Sequence, residues 1–303
     1  MIHLAQLSVT PTAMEAAATC GVLLGVTYII WRWRSRSQQS FLTPNTAKDT
    51  VVLHQYGKAL TVPSISPFVI KLATYLRAAK IPYVDAYSRR PGPKQKLPWI
   101  QYNNQAVPDS QLCIEFLNTQ RQVNLNNHLT PDEIAKGHLI RRVSEESLYW
   151  VLLMWRLVFE SSGDLYKKLG VPAFVVWYMR REAKSRLWSH GIGRYSQQEV
   201  IKIMEDDLSA ISTILGERNF LFGDVVEDVS EFDCALFGQL CQLLWQTPGT
   251  PVAGIIAEKF PNLVHFCERM KSSFWPDWDQ KLLHPTQVPT VGHTVDASKG
   301  HRN

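Results

Sequence analysis

Two hydroxyl groups stand where this chain could do chemistry. Ser66 heads the run Ser66-Pro67-Phe68, and Tyr56 ends the run Val51-Val52-Leu53-His54-Gln55-Tyr56. A serine before a proline reads as a helix start, with proline at the first helical position, where its missing N–H costs nothing. The plainer roles are a helix cap for Ser66 and a core aromatic for Tyr56. Asp109-Ser110 marks another helix start. Other chemistries find less support. The nine histidines show no ligand spacing such as HExxH, so no metal site is expected. The five cysteines, Cys20, Cys113, Cys234, Cys241 and Cys267, form no CxxC pair and suit buried thiols in a reducing compartment. Glu145 and Glu146 are adjacent and point in different directions on a helix. They read as a solvated face or one buried ion pair, not an acid–base pair. His190-Gly191-Ile192-Gly193-Arg194 follows no strand and reads as a tight interhelical turn rather than a phosphate loop. Its Arg194 could face an inter-domain cleft and contact an anionic ligand.

The elements that must position these groups fall into two halves. Residues 51–123 predict a strand closed by Gly57, then a helix with Val69, Leu72, Ala73 and Leu76 on one face. A second strand follows over 81–87, then a hairpin around Asn103-Asn104, with Pro98 to Tyr102 and Gln105 to Val107 as its arms. A helix through Leu112, Phe116 and Leu117 closes the half. That order is thioredoxin-like, an α/β unit. Residues 130–284 predict an all-helical unit, with capping boxes at Thr130/Glu133, Ser196/Glu199 and Ser230/Asp233. The apolar run Ser147 to Phe159 is too short to cross a bilayer and contains Arg156, so a buried helix is expected. Tyr178 to Trp188 sets Arg180, Arg181, Lys184 and Arg186 beside aromatic residues. It reads as a membrane-facing basic helix or as a solvated face.

Residues 1–50 read as an anchor and linker. Met14 to Trp33 is about the length a bilayer core requires, with Arg32, Arg34 and Arg36 at and beyond its end. A signal peptide carries its positive charge ahead of the apolar run, so a retained transmembrane helix is expected, with the folded units facing the cytosol. Ala17, Gly21 and Gly25 form a small-residue row that would let two such helices pair as a homodimer. The polar tail, 285–303, is expected to be disordered. Over 303 residues, 45% are hydrophobic and 19% charged, an ordinary globular balance. A net charge of +5 without zinc-finger spacing or an aromatic-basic RNA motif points away from nucleic acid.

The proline after Leu97 and the Asp109-Ser110 pair resemble the glutathione site of glutathione transferases. The resemblance implies a cis Leu97-Pro98 bond, backbone contacts from Leu97, and a carboxylate contact at the helix start through Ser110 with Asp109. Ser66 or Tyr56 would donate to the glutathione thiolate. Serine cannot form a mixed disulfide, so thiol–disulfide exchange is not expected there. A longer set of motifs narrows the likeness. Pro98-Trp99-Ile100, Glu145-Glu146 with Tyr149-Trp150, His190 to Arg194, Trp245 with Pro248-Gly249-Thr250, and Phe274 to Trp278 resemble the failed axon connections family. That family is glutathione-transferase-like and related to metaxins. It implies a membrane-anchored, non-catalytic interaction protein linked to axon development. The alternatives are a glutathione-dependent transferase acting on apolar electrophiles and a metaxin-like component of the mitochondrial outer membrane. No cofactor is required, glutathione being the one ligand the resemblance adds.

Overall fold

Every side chain of β1 (Val51–Gln55) is buried, which suits a strand flanked by neighbours on both edges. β1 pairs in parallel with β2 (Tyr83–Tyr87) and antiparallel with β3 (Trp99–Tyr102), which pairs in turn with β4 (Gln105–Pro108). The sheet order is β2-β1-β3-β4. The crossover that makes β1 and β2 parallel is α1 (Pro67–Ala78). The strand expected from Ile81 starts at Tyr83. The reason is local, since the Ile81 amide closes the end of α1 on the Leu76 carbonyl and Pro82 has no amide to give. Asn103, at φ +51°, turns the hairpin, and α2 (Ser110–Arg121) follows. The computed structural model describes residues 47–87, 91–160, 162–247 and 249–283.

The helical half begins with α3 (Pro131–Val143), which runs on through a π turn, Ser144–Leu148, into α4 (Tyr149–Met154) and a second π turn, Trp155–Phe159. The apolar run read as one plain helix is thus interrupted by wider turns, a feature with no residue signature in this stretch. Then come α5 (Asp164–Lys168), α6 (Ala173–His190), a 3-10 turn at Ile192–Arg194, and α7 (Gln197–Leu215). After them lie α8 (Glu231–Trp245), α9 (Val252–Lys259) and α10 (Pro261–Phe274). The capping boxes at Thr130, Ser196 and Ser230 each form both reciprocal hydrogen bonds.

The two halves share one core. α8 is buried from Glu231 to Leu243 and lies directly on α1. At Gly238 a Cβ would stand 2.5 Å from the Pro67 carbonyl oxygen and 3.0 Å from the Lys71 nitrogen, so the close approach of the helices requires glycine. Beyond α10, the Trp275 indole donates to the Thr74 hydroxyl at 3.0 Å. Arg77 lies over the Trp275 ring and grips both carboxylate oxygens of Asp277. Among the described residues no helix is long and apolar enough to cross a membrane. The segment 14–33 and the tail beyond Leu283 lie outside the described residues.

Candidate functional site

The topology brings Tyr56, Ser66, Leu97, Pro98, Asp109 and Ser110 to one end of the sheet. Because β1 and β2 are parallel, α1 starts beside the carboxyl end of β1, where Tyr56 follows the strand. His54 faces Trp99 across β1 and β3, and Trp99 faces Pro108 across β3 and β4. Leu97-Pro98 therefore enters β3, and Asp109-Ser110 leaves β4, at that same end. The Leu97–Pro98 bond is cis. The amino ends of α1 and α2 converge there, and both direct N–H groups and positive dipole ends at the space between. Arg194 does not join them. It is exposed on the 3-10 turn after α6, with its guanidinium over the Trp188 ring.

These residues are held in different ways. Asp109 takes φ +73°, and its carboxylate accepts from the Gln111 and Leu112 amides at 2.9 and 3.2 Å. It is the cap, and the one carboxylate in this set is thereby engaged. Ser66 occupies the N-cap position of α1 with Pro67 behind it, but its hydroxyl makes no capping bond. Ser66, Leu97 and Ser110 are 8%, 9% and 5% exposed, so only a small part of each residue faces solvent. Tyr56, read as a core aromatic, is instead 43% exposed. Partial desolvation raises its phenol pKa, so at neutral pH it is a hydrogen-bond donor rather than a base. Across from it, Phe68, Tyr149, Trp150 and His190 form a chain of ring contacts.

A strap of long-range bonds fastens the loop before α1 to the helical half. The Gln242 amide donates to the Ser64 carbonyl at 2.8 Å and Arg156 donates to the Ile65 carbonyl at 3.0 Å. The Thr61 hydroxyl bonds the Trp245 carbonyl and the Gln246 side chain, and the Trp278 indole donates to the Thr61 carbonyl. Deeper in, Lys71 is 1% exposed and donates to Glu145 at 2.6 Å and Gln111 at 2.7 Å. Glu145 is thus the buried ion pair its sequence allowed, while Glu146 pairs with Arg142 on the surface. Arg156 has no carboxylate partner in this set. Its other donors meet the Gln242 side chain and the Gln246 carbonyl, and burial lowers its pKa to about 10. Sequence reading placed Arg156 in a buried helix but carried no sign of these acceptors, and it passed over Lys71.

The chemistry open to this arrangement is binding of an anionic group between two helix ends, with hydroxyl donors at hand. Cys113, Cys234, Cys241 and Cys267 are buried, and burial pushes all of these thiols up, away from the reactive thiolate.

Comparisons with known proteins agree with the geometry. Residues 67–162 match the family described as glutathione S-transferase N-terminal domain, and residues 204–270 match glutathione S-transferase, C-terminal domain. Failed axon connections of Drosophila melanogaster is 29% identical over 256 residues, 78% of this chain and 60% of its own length. The isoprene-epoxide–glutathione S-transferase of Rhodococcus sp. (strain AD45) is 26% identical over 74% of this chain and 99% of its own. The mitochondrial outer membrane import complex protein METAXIN of Arabidopsis thaliana is 27% identical over 70% of this chain and 69% of its own. Among solved structures, glutathione transferase GSTFuA3 from Phanerochaete chrysosporium superposes with a TM-score of 0.53 at 14% identity, covering 76% of this chain and all of that one (100%). That likeness is one of fold. With the thioredoxin-like sheet, the helical half and these relatives in agreement, the chain is similar to the glutathione-transferase-like, metaxin-related proteins, Failed axon connections among them.

Proposed function

We propose that this protein is a membrane-tethered, non-catalytic interaction protein that uses the transferase fold as a scaffold. The observation that carries the reading is the strap. Backbone carbonyls at Thr61, Ser64 and Ile65, just ahead of Ser66, are occupied by Trp278, Gln242 and Arg156, and Ser66 is 8% exposed. A transferase needs its thiol-activating hydroxyl open to both substrates. Titrating the full-length chain with millimolar glutathione by calorimetry, followed by an electrophile assay, tests this. No conjugation is expected. Saturable binding with conjugate formation would overturn the reading.

A second reading, a glutathione-dependent transferase acting on apolar electrophiles, is favoured by the convergence of both helix ends on Leu97-Pro98 and Asp109-Ser110. The near full-length match to the Rhodococcus transferase favours it too. On that reading Ser66→Ala abolishes turnover and Tyr56→Phe does not, or the reverse if Tyr56 is the donor.

The tether of this reading is the apolar segment 14–33, whose flanking arginines would leave the folded halves facing the cytosol, with the Ala17–Gly21–Gly25 row as a contact for a second copy. The Arabidopsis relative's name favours the mitochondrial outer membrane as the site, and the Drosophila relative's name favours a role in axon development. Imaging a tagged full-length chain beside one lacking residues 1–34 tests the tether. Equal membrane retention of the two would sink it.

A further inference from the structure

α6 lies wholly between the two matched ranges, 67–162 and 204–270, and within neither. Its inner face is Val176, Ala183 and Leu187, buried against the core. Arg180 ties its middle to the core by donating to the Glu160 carbonyl at 2.6 Å, and His190 stacks on Trp150 at its carboxyl end. The outer face is unusual. Phe174, Trp177, Tyr178, Arg181, Lys184 and Trp188 fall on one side of the helix at spacings of three, four and seven residues. All are exposed, the four aromatic side chains by 57% to 74%. The acid on this helix, Glu182, sits to one side and pairs with Arg186. Nothing in the core requires four large rings to point at water, and an unsupported surface helix would favour shorter polar residues there.

We propose that this face of α6 docks on an anionic lipid surface, lying in the headgroup layer with its rings inward and Arg181 and Lys184 on the phosphates. Tryptophan and tyrosine prefer the lipid–water boundary, and cations interspersed among them complement anionic headgroups. The inference rests on the membrane-tethered reading above. It adds a second contact, on the folded body, that fixes how the scaffold is oriented on that membrane.

The test is quenching of tryptophan emission by brominated lipid, with the full chain in vesicles of phosphatidylcholine alone or with added phosphatidylserine. The contribution of α6 is the difference between the parent and Trp177→Ala/Trp188→Ala. It is expected in phosphatidylserine vesicles and largely absent in phosphatidylcholine. Arg181→Glu/Lys184→Glu should weaken that lipid-dependent component by about tenfold or more. These side chains are exposed, so unchanged circular dichroism is expected in all variants. Equal quenching of parent and Trp177→Ala/Trp188→Ala overturns the proposal. So does crosslinking of position 177 or 188 to a second copy or another protein. Failure of the tether is read separately, as loss of the residual quenching from Trp31 and Trp33.

Discussion

Lys71 and Arg156 are both cations sealed between the two halves of the molecule, yet they are kept there by different means. Lys71 projects from α1 onto the Glu145 carboxylate, which also takes Arg141 at 3.3 Å, while Gln111 relays the network to Glu231. Arg156 projects the other way, from the second π turn toward the loop before α1, and among the bonds formed there every acceptor is a neutral oxygen. A buried pair with opposite charges is costly to split, because either survivor is left uncompensated. A buried guanidinium held by carbonyls loses only hydrogen bonds when it is replaced. The first cation therefore fixes the packing of the halves, and the second fixes the course of a loop.

That contrast can be broken by substitution, and the effects should rank. Glu145→Leu leaves Lys71 without its carboxylate and should cost about 3–5 kcal/mol in denaturant unfolding, with most of it recovered in Lys71→Met/Glu145→Leu. Failure of the double variant to recover would show that the pair is not the origin of the loss. Gly238→Ala drives a methyl group into the Pro67 carbonyl and should cost about 3 kcal/mol, at the upper end of overpacking effects. Arg156→Met should cost only about 1–2 kcal/mol, from acceptors left unmet at Ile65 and Gln242. If it exceeds Glu145→Leu, the distinction drawn here is wrong. The smallest effect is at the rim. The Arg77 guanidinium holds the Asp277 carboxyl below its ordinary value. Its contribution is present above the unfolded carboxylate pKa of about 3.9 and is lost as pH falls through the lower folded value. Asp277→Asn should therefore lower stability by about 1 kcal/mol at neutral pH. The gap to the parent should close below about pH 4.

The same contrast separates what the sequence discloses from what it hides. Local devices are legible because a few neighbouring residues make them. The boxes at Thr130, Ser196 and Ser230, the Asn103-Asn104 turn and the Asp109 cap are all of this kind. Long-range polar contacts are not. Lys71 sits among Val69, Leu72 and Ala73 with no local partner in the sequence, and Glu145 arrives only 74 residues later. The π turns that offset Glu145 and Arg156 leave no residue pattern of their own. The end of the sheet that gathers the candidate site follows from strand order, whereas the fastening of the loop ahead of Ser66 depends on α8 and Trp278. The rings of α6 were visible as a composition, but only the fold shows that they face outward.

Fastening the loop at Thr61, Ser64 and Ile65 to α8 and Trp278 has a kinetic consequence. Its carbonyls are released only when α8 and Trp278 move away, so opening of the loop should track separation of the halves rather than motion of the loop itself. Any ligand whose contacts require those carbonyls must wait for that rare separation. Its apparent affinity is then reduced by the fraction of molecules open, and its rate of capture saturates at the opening rate however much is supplied.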